Sequence, residues 1–353
     1  MRKALAFVLT LAMSASLLVG CTGKIVVIDN PAGNVENVEM AETTEDAETT
    51  EGAVKTGLSV MASLSGESAT AESNGVVTTD ISLVAVTVTE DGVIESCKID
   101  AIQGKVAFDA EGKICSEAGE VLTKKELGDD YGMRVASPIG KEWDEQVEAI
   151  ETYAVGKTVE ELKTKAIDEN GVVADADLAS GATIYMGSFI WAIEAAVNNA
   201  QYLGASAGDE LVLVANTKAS GVDATTEADG NTQVDANVAA FTMNGDKITS
   251  CIIDAIQAKA TFDTKGVAAQ IADPTVLTKA QLGENYGLKA YSGIGKEWKE
   301  QTLAFCEYVT GKTIEEVQNI ALTETTAPAD ADLAASVSIA VGDFVSLVEK
   351  LAK

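Results

Sequence analysis

One passage of the chain is written twice. Residues 121–162 read VLTKKELGDDYGMRVASPIGKEWDEQVEAIETYAVGKTVEEL, and residues 276–317 read VLTKAQLGENYGLKAYSGIGKEWKEQTLAFCEYVTGKTIEEV, with 23 identities in 42 gap-free positions at an offset of 155. Upstream the match continues at an offset of 154, where Ser96-Cys97-Lys98-Ile99-Asp100-Ala101-Ile102-Gln103 aligns with Ser250-Cys251-Ile252-Ile253-Asp254-Ala255-Ile256-Gln257. The second copy therefore holds one extra residue between Asp263 and Val276. Such a period is far longer than that of a solenoid, so the chain is a tandem duplication of a domain-sized unit. The copies run over residues 55–203 and 208–353, each of ordinary domain size.

Each copy follows one plan. Its first half is read as alternating apolar and polar residues, in Leu83-Val84-Ala85-Val86-Thr87-Val88, then Val93-Ile94, then Val106-Ala107-Phe108, separated by the turn sequences Glu90-Asp91-Gly92 and Asp109-Ala110-Glu111-Gly112. This predicts an antiparallel meander. The second half is helical in pattern. Trp143, Val147, Ile150 and Ala154 recur at three- and four-residue spacings, and Gly156 provides a stop. Thr158-Val159-Glu160-Glu161 and its repeat Thr313-Ile314-Glu315-Glu316 have the form of capping boxes. A final apolar helix is expected from Ile184 to Ala200. Strands first and helices second predict an α+β fold, with a twisted antiparallel sheet packed on helices in each repeat.

The beginning of the chain has a different character. Arg2 and Lys3 precede an apolar stretch that closes on Leu18-Val19-Gly20-Cys21. This resembles the lipobox of bacterial lipoproteins, and it implies residues 1–20 as a signal peptide, cleavage before Cys21 and a diacylglycerol on the Cys21 sulfur. The expected product is extracytoplasmic and lipid-anchored to the cell membrane rather than spanning it. Residues 21–54 then form an acidic, threonine-rich tether, with eight acidic residues and one lysine after Cys21; such a composition favours a self-repelling, disordered spacer. The formal charge of the whole chain is −30, or −32 without Arg2 and Lys3. There is no basic stripe, so nucleic acid is not an expected partner.

The sequence contains no histidine, which excludes a Ser-His-Asp triad, a His general base and a His-containing zinc site. Four cysteines follow Cys21: Cys97, Cys115, Cys251 and Cys306, with no CxxC pair. Cys97 and Cys251 occupy matching positions and read as one buried strand position inherited twice, not as a disulfide. Gly156-Lys157-Thr158 and Gly311-Lys312-Thr313 look like the end of a P-loop, but Glu151 and Cys306 stand where its first glycine belongs. Gly293-Ile294-Gly295 lacks the third glycine of a dinucleotide fingerprint and reads as a turn.

The remaining chemical signal is Asp177-Leu178-Ala179-Ser180-Gly181-Ala182-Thr183. It resembles the flavinylation motif of FMN-binding domains, the family that includes subunits of sodium-pumping NADH:quinone reductases and of Rnf electron-transfer complexes. Every fixed position of the pattern is matched: Asp, two variable residues, Ser or Thr, Gly or Ala, Ala, then Thr or Ser. The resemblance implies that a flavin transferase joins FMN through its phosphate to the Thr183 oxygen. Asp177, Ser180, Gly181 and Ala182 would shape the loop and serve transferase recognition. A phosphodiester just ahead of a helix would also face unpaired N–H groups and the positive end of the helix dipole. The second copy reads Asp332-Leu333-Ala334-Ala335-Ser336-Val337-Ser338. It keeps Asp332 and offers Ser338 as a second acceptor, but it has lost the Gly-Ala pair.

Aromatic side chains are the natural cover for an isoalloxazine ring. Tyr131, Trp143 and Tyr153 recur as Tyr286, Trp298 and Tyr308. Tyr131 and Tyr286, in Tyr-Gly turns, are the better candidates, and the helical tyrosines read as core. Tyr185 and Trp191 belong to the first copy alone. Resemblance to FMN-binding lipoproteins of extracellular electron transfer in Gram-positive bacteria implies an electron carrier rather than a substrate-specific enzyme. It would link a membrane quinol-linked donor to extracellular electron acceptors. Two alternatives stay open at this level: a cofactor-free binding or signalling lipoprotein with two structural repeat domains, and one whose cleaved signal peptide is the active product.

Overall fold

The computed structural model describes residues 52–352. The export signal, Cys21 and most of the acidic tether lie outside the described residues. In the first repeat, β1 (Lys55–Glu67), β2 (Gly75–Val88) and β3 (Ile94–Phe108) form an antiparallel meander, followed by a two-residue strand, β4 (Gly119–Glu120). Helices α1 (Lys124–Leu127), α2 (Trp143–Ala154), α3 (Val159–Glu161), α4 (Ala176–Ala179) and α5 (Gly187–Asn198) complete it. The second repeat supplies β5 (Glu210–Val222), β6 (Gly230–Asn244), β7 (Lys247–Phe262) and β8 (Thr275–Val276). Its helices are α6 (Lys279–Leu282), α7 (Trp298–Val309), α8 (Ile314–Gln318), α9 (Ala331–Ala334) and α10 (Gly342–Glu349). The α+β class and the antiparallel sheets packed on helices are as the sequence predicts. The capping boxes at Thr158 and Thr313 are formed, and Gly156, at φ +78°, ends the turn after α2.

The repeats are interlocked. Strand order is β3-β2-β1-β8 in one sheet and β4-β5-β6-β7 in the other, so each three-stranded meander receives its fourth strand from the opposite repeat. Ala62 and Ser63 pair with Val276 and Thr275, while Ala219 and Lys218 pair with Gly119 and Glu120. The exchange is reciprocal elsewhere too. The Ala69 N–H donates to the Gly266 carbonyl at 2.7 Å, and the Ala224 N–H donates to the Gly112 carbonyl at 2.7 Å. Equivalent residues Phe108 and Phe262 stack on each other, ring centroids 4.1 Å apart and 2° from parallel. Contacts in which each copy meets its own counterpart define a pseudo-two-fold axis.

That arrangement makes four layers, helices outside and the two sheets face to face inside. The inner core joins Leu58, Val60, Ile81, Leu83, Ala85 and Val106 to Leu211, Ala215, Val234, Ala236, Val238 and Ala258. Many of these side chains are alanine, which lets the sheets approach closely. At Gly104 an added Cβ would stand 2.8 Å from Val234 Cγ2. The opposite face of β2, with Val84, Val86 and Val88, packs under Trp143, Val147, Ile150, Ile190 and Ile193 of α2 and α5. Both faces of β2 are thus buried, which is why Leu83-Val84-Ala85-Val86 is apolar at every position instead of alternating. Each fully buried Leu, Ile or Val contributes about 1.5–3 kcal/mol.

Candidate functional site

The 177–183 segment lies in the outer layer beside α2. Asp175, two residues ahead of the motif, caps α4: its Oδ1 accepts from the Asp177 and Leu178 N–H groups at 2.9 and 3.1 Å. Tyr153, on α2, donates its hydroxyl to Asp175 Oδ2 at 3.2 Å, and the Lys157 ammonium lies 3.9 Å from the centre of that ring. Tyr153 is half-buried and tethers the loop's cap to α2. Leu178 and Ala182 are buried in the first repeat's outer core. Asp177 and Ser180 are exposed, and Ser180 donates to the Asp177 carbonyl at 2.8 Å. Gly181 has an ordinary negative φ, and its reason is packing: a Cβ there would lie 2.7 Å from Ala149 Cβ.

Thr183 is exposed and is held from below by Gln146 of α2. Gln146 Oε1 accepts from the Thr183 N–H at 2.8 Å and from its hydroxyl at 3.3 Å. The amide is itself fixed, donating to the Lys141 carbonyl at 3.2 Å and to Ser137 Oγ at 3.3 Å, and is only 1% exposed. The Lys141 ammonium lies 3.9 Å from where a Gly181 Cβ would stand. No ion pair among the described residues engages Lys141.

One expectation needs correction. The last helix starts at Gly187, not at Ile184, and its N-cap is Met186. Thr183 is therefore three residues short of the cap. The first N–H groups are also taken, since those of Met186 and Gly187 donate to the Gly171 carbonyl at 3.2 and 3.1 Å. The cation the structure places beside this loop is Lys141, near Gly181. Tyr131, expected as cover for a flavin ring, is half-buried against the first repeat's outer core. It packs edge-on against Trp143, with Lys124 above both rings, and Lys279 stands likewise over Tyr286 and Trp298. Tyr185 is 56% and Trp191 67% exposed. The Tyr185 ring lies over Gly171 and Gly187, where added Cβ atoms would come within 2.7 and 2.5 Å of its hydroxyl.

The second repeat builds the same loop from different side chains. Asp330 caps α9 by accepting from the Asp332 and Leu333 N–H groups at 3.0 and 3.2 Å. Ser338 is exposed, and its N–H and hydroxyl donate to Gln301 Oε1 at 2.7 and 3.2 Å. Val337 fills the buried place of Ala182, while Ser336, in place of Gly181, borders a groove lined by Ala304, Glu307, Tyr308 and Asp332. Losing the Gly-Ala pair leaves the backbone path intact. Where Gly171 stands in the first repeat, Thr326 takes the left-handed conformation at φ 58°.

Among the described residues, the hydroxyls of Thr183 and Ser338 hydrogen-bond to no carboxylate or amine. Gln146 and Gln301 are neutral amides and do not take up a proton from a hydroxyl at neutral pH. The loop can present an oxygen but cannot activate it. Sequence reasoning missed both glutamines; their signal is the shared Lys-Glu-Trp-x-Glu-Gln run at 141–146 and 296–301. Among the described residues no group of three or more Cys, Asp or Glu side chains could hold a metal ion, and no helix is long and apolar enough to cross a membrane.

Part of the chain is 44% identical over 73 residues to chlorophenol reductase of Desulfitobacterium hafniense, a match covering 17% of this chain and 22% of that protein's length. No family model matches the chain, and no solved structure matches it.

Proposed function

We propose that the chain is a membrane-anchored extracytoplasmic flavoprotein. It carries FMN as a phosphoester on Thr183 and relays electrons from a membrane quinol-linked donor to extracellular acceptors. The observation that carries this reading is the Thr183 hydroxyl, which stands exposed at the end of a complete motif while Gln146 fixes its backbone. Esterifying Thr183 Oγ1 forfeits the longer bond to Gln146, because the oxygen no longer has a hydrogen to donate, and keeps the 2.8 Å N–H bond that positions the loop.

The residues present suit the group. Lys141 supplies a cation for the remaining phosphodiester charge, and Tyr185 and Trp191 offer exposed aromatic surface in the same repeat. Bound FMN accepts and passes on one or two electrons. With no base at the hydroxyl, attachment depends on a separate flavin transferase, which must remove the hydroxyl proton as the new P–O bond forms and the P–O bond of an activated flavin donor, such as a flavin dinucleotide, breaks to release the nucleoside monophosphate. The lipid on Cys21 and the acidic tether would keep the folded part near its donor. The likeness to a segment of a chlorophenol reductase points towards redox chemistry over 17% of the chain. Ser338 is the second acceptor in this scheme. It has the same glutamine support but lacks the Gly-Ala pair and an aromatic at Tyr185's place, where Ala340 stands.

Co-expression with a flavin transferase tests this directly. Flavin fluorescence should migrate with the denatured polypeptide, disappear or fall steeply in Thr183→Ala, and persist in part in Thr183→Ser. A colourless wild-type band contradicts the proposal and favours a cofactor-free binding lipoprotein.

A further inference from the structure

We propose that Cys251 and Cys306 form a structural disulfide that ties β7 to α7 in the second repeat. Their sulfurs lie 3.3 Å apart. Closing to a bond of about 2.05 Å requires the two side chains to move together by about 1.3 Å, within the reach of small χ1 and χ2 rotations. Both cysteines are almost fully buried, at 4% and 5% exposure, so the pair is shielded from solvent reductants.

Comparison of the repeats gives the pair its meaning. Cys251 corresponds to Cys97, but Cys306 corresponds to Glu151 and Ala280 to Lys125. In the first repeat Glu151 ties the edge strand β3 to the helix layer: its Oε1 accepts from the Ile99 N–H at 2.6 Å and from the Lys125 ammonium at 2.5 Å. The second repeat has exchanged both members of that ion pair, and the position that bore the carboxylate now places a thiol against Cys251. One strand-to-helix link has replaced another. Cys97 has no sulfur partner among the described residues, and Cys115 is exposed.

The chemistry balances as thiol–disulfide exchange. A low-molecular-weight disulfide such as oxidised glutathione accepts the two electrons. One cysteine thiolate displaces a first glutathione, and the second thiol displaces the other, so two thiols and one disulfide become one protein disulfide and two glutathione thiols. Burial, and the neighbouring Cys306 thiol, push the Cys251 thiol up from its ordinary range, so the folded pair attacks slowly. The bond therefore forms as the chain folds, while the sulfurs are still open to the oxidant.

Refolding the full chain from denaturant in a glutathione redox buffer, followed by alkylation and peptide mass mapping, tests the assignment. A peptide pair linking Cys251 to Cys306 and lighter by two hydrogens is expected, with Cys97 and Cys115 alkylated. The thermal midpoint should then fall by several degrees on reduction, and this fall should be absent in Cys306→Ser and retained in Cys97→Ser. Alkylation of both Cys251 and Cys306 after refolding overturns the proposal, as does a link from either to another cysteine. The readout lies on different peptides from Thr183, so it stands or falls apart from the flavin.

Discussion

Thr183 and Ser338 show how little of an exposed hydroxyl's environment is written beside it in sequence. The hydroxyl and its small neighbours are local, whereas the group that holds them, Gln146 or Gln301, lies thirty-seven residues upstream on another helix. That glutamine sits inside a helix whose periodicity assigns it only a position on a buried face, so its role emerges when the loop folds over it. Gln146→Leu keeps the bulk and removes the acceptor. It should lower stability by about 1–2 kcal/mol in urea unfolding and speed amide exchange at Thr183. The cysteine pair was hidden for a related reason. The matching of Cys97 with Cys251 identifies an inherited strand position, which the structure bears out as buried, but Cys306 has no counterpart cysteine and so carries no repeat signal. With the two cysteines fifty-five positions apart, the proposed bond constrains the unfolded chain by about 4 kcal/mol.

At the scale of elements, the most legible features were those with a local cause. Capping boxes, a glycine stop and three- and four-residue spacings placed α2, α3, α7 and α8. The start of α5 was not legible, because Ile184, Tyr185 and Met186 continue its apolar pattern while the Gly171 carbonyl captures the N–H groups of Met186 and Gly187 and sets the first turn there. The caps of α2 and α7 carry a pH dependence. Burial pushes the Glu142 carboxyl up, but the N–H groups of Arg134, Met133 and Trp143 and the Arg134 charge outweigh it and hold the group below its ordinary value near 4.5. Glu297 behaves alike, with donors at Lys289, Trp298 and Leu288. A carboxylate depressed in the folded state stabilises the fold fully above its unfolded value, and that contribution is lost as pH falls through the lower, folded value. Stability should therefore decline as pH is lowered below about 4.5. The Glu142→Gln, Glu297→Gln double variant should show a shallower decline in chemical unfolding across that range.

The whole molecule is where the sequence was least explicit. Duplication, the antiparallel meander and the helical second half were all readable. The exchange of β4 and β8 was not, because two-residue strands carry no alternation and their partners are far away in the chain. Nor does a single repeat reveal that its sheet has two apolar faces for different reasons, one under its own helices and one against the other copy. The interlock has a direct consequence. A chain ending at residue 208 would expose the inner face of β1, β2 and β3 and leave β1 without β8. It should associate into a dimer across the same two-fold, or fail to fold, when examined by sedimentation and circular dichroism. A stable folded monomer would contradict the shared core.

The central claim concerns one oxygen atom. Peptide mass mapping of the chain co-expressed with a flavin transferase should place an addition equal to FMN less one water on the peptide containing residues 177–183, with fragment ions assigning it to Thr183. An unmodified peptide at full transferase activity, or an addition confined to Ser338, would contradict the account.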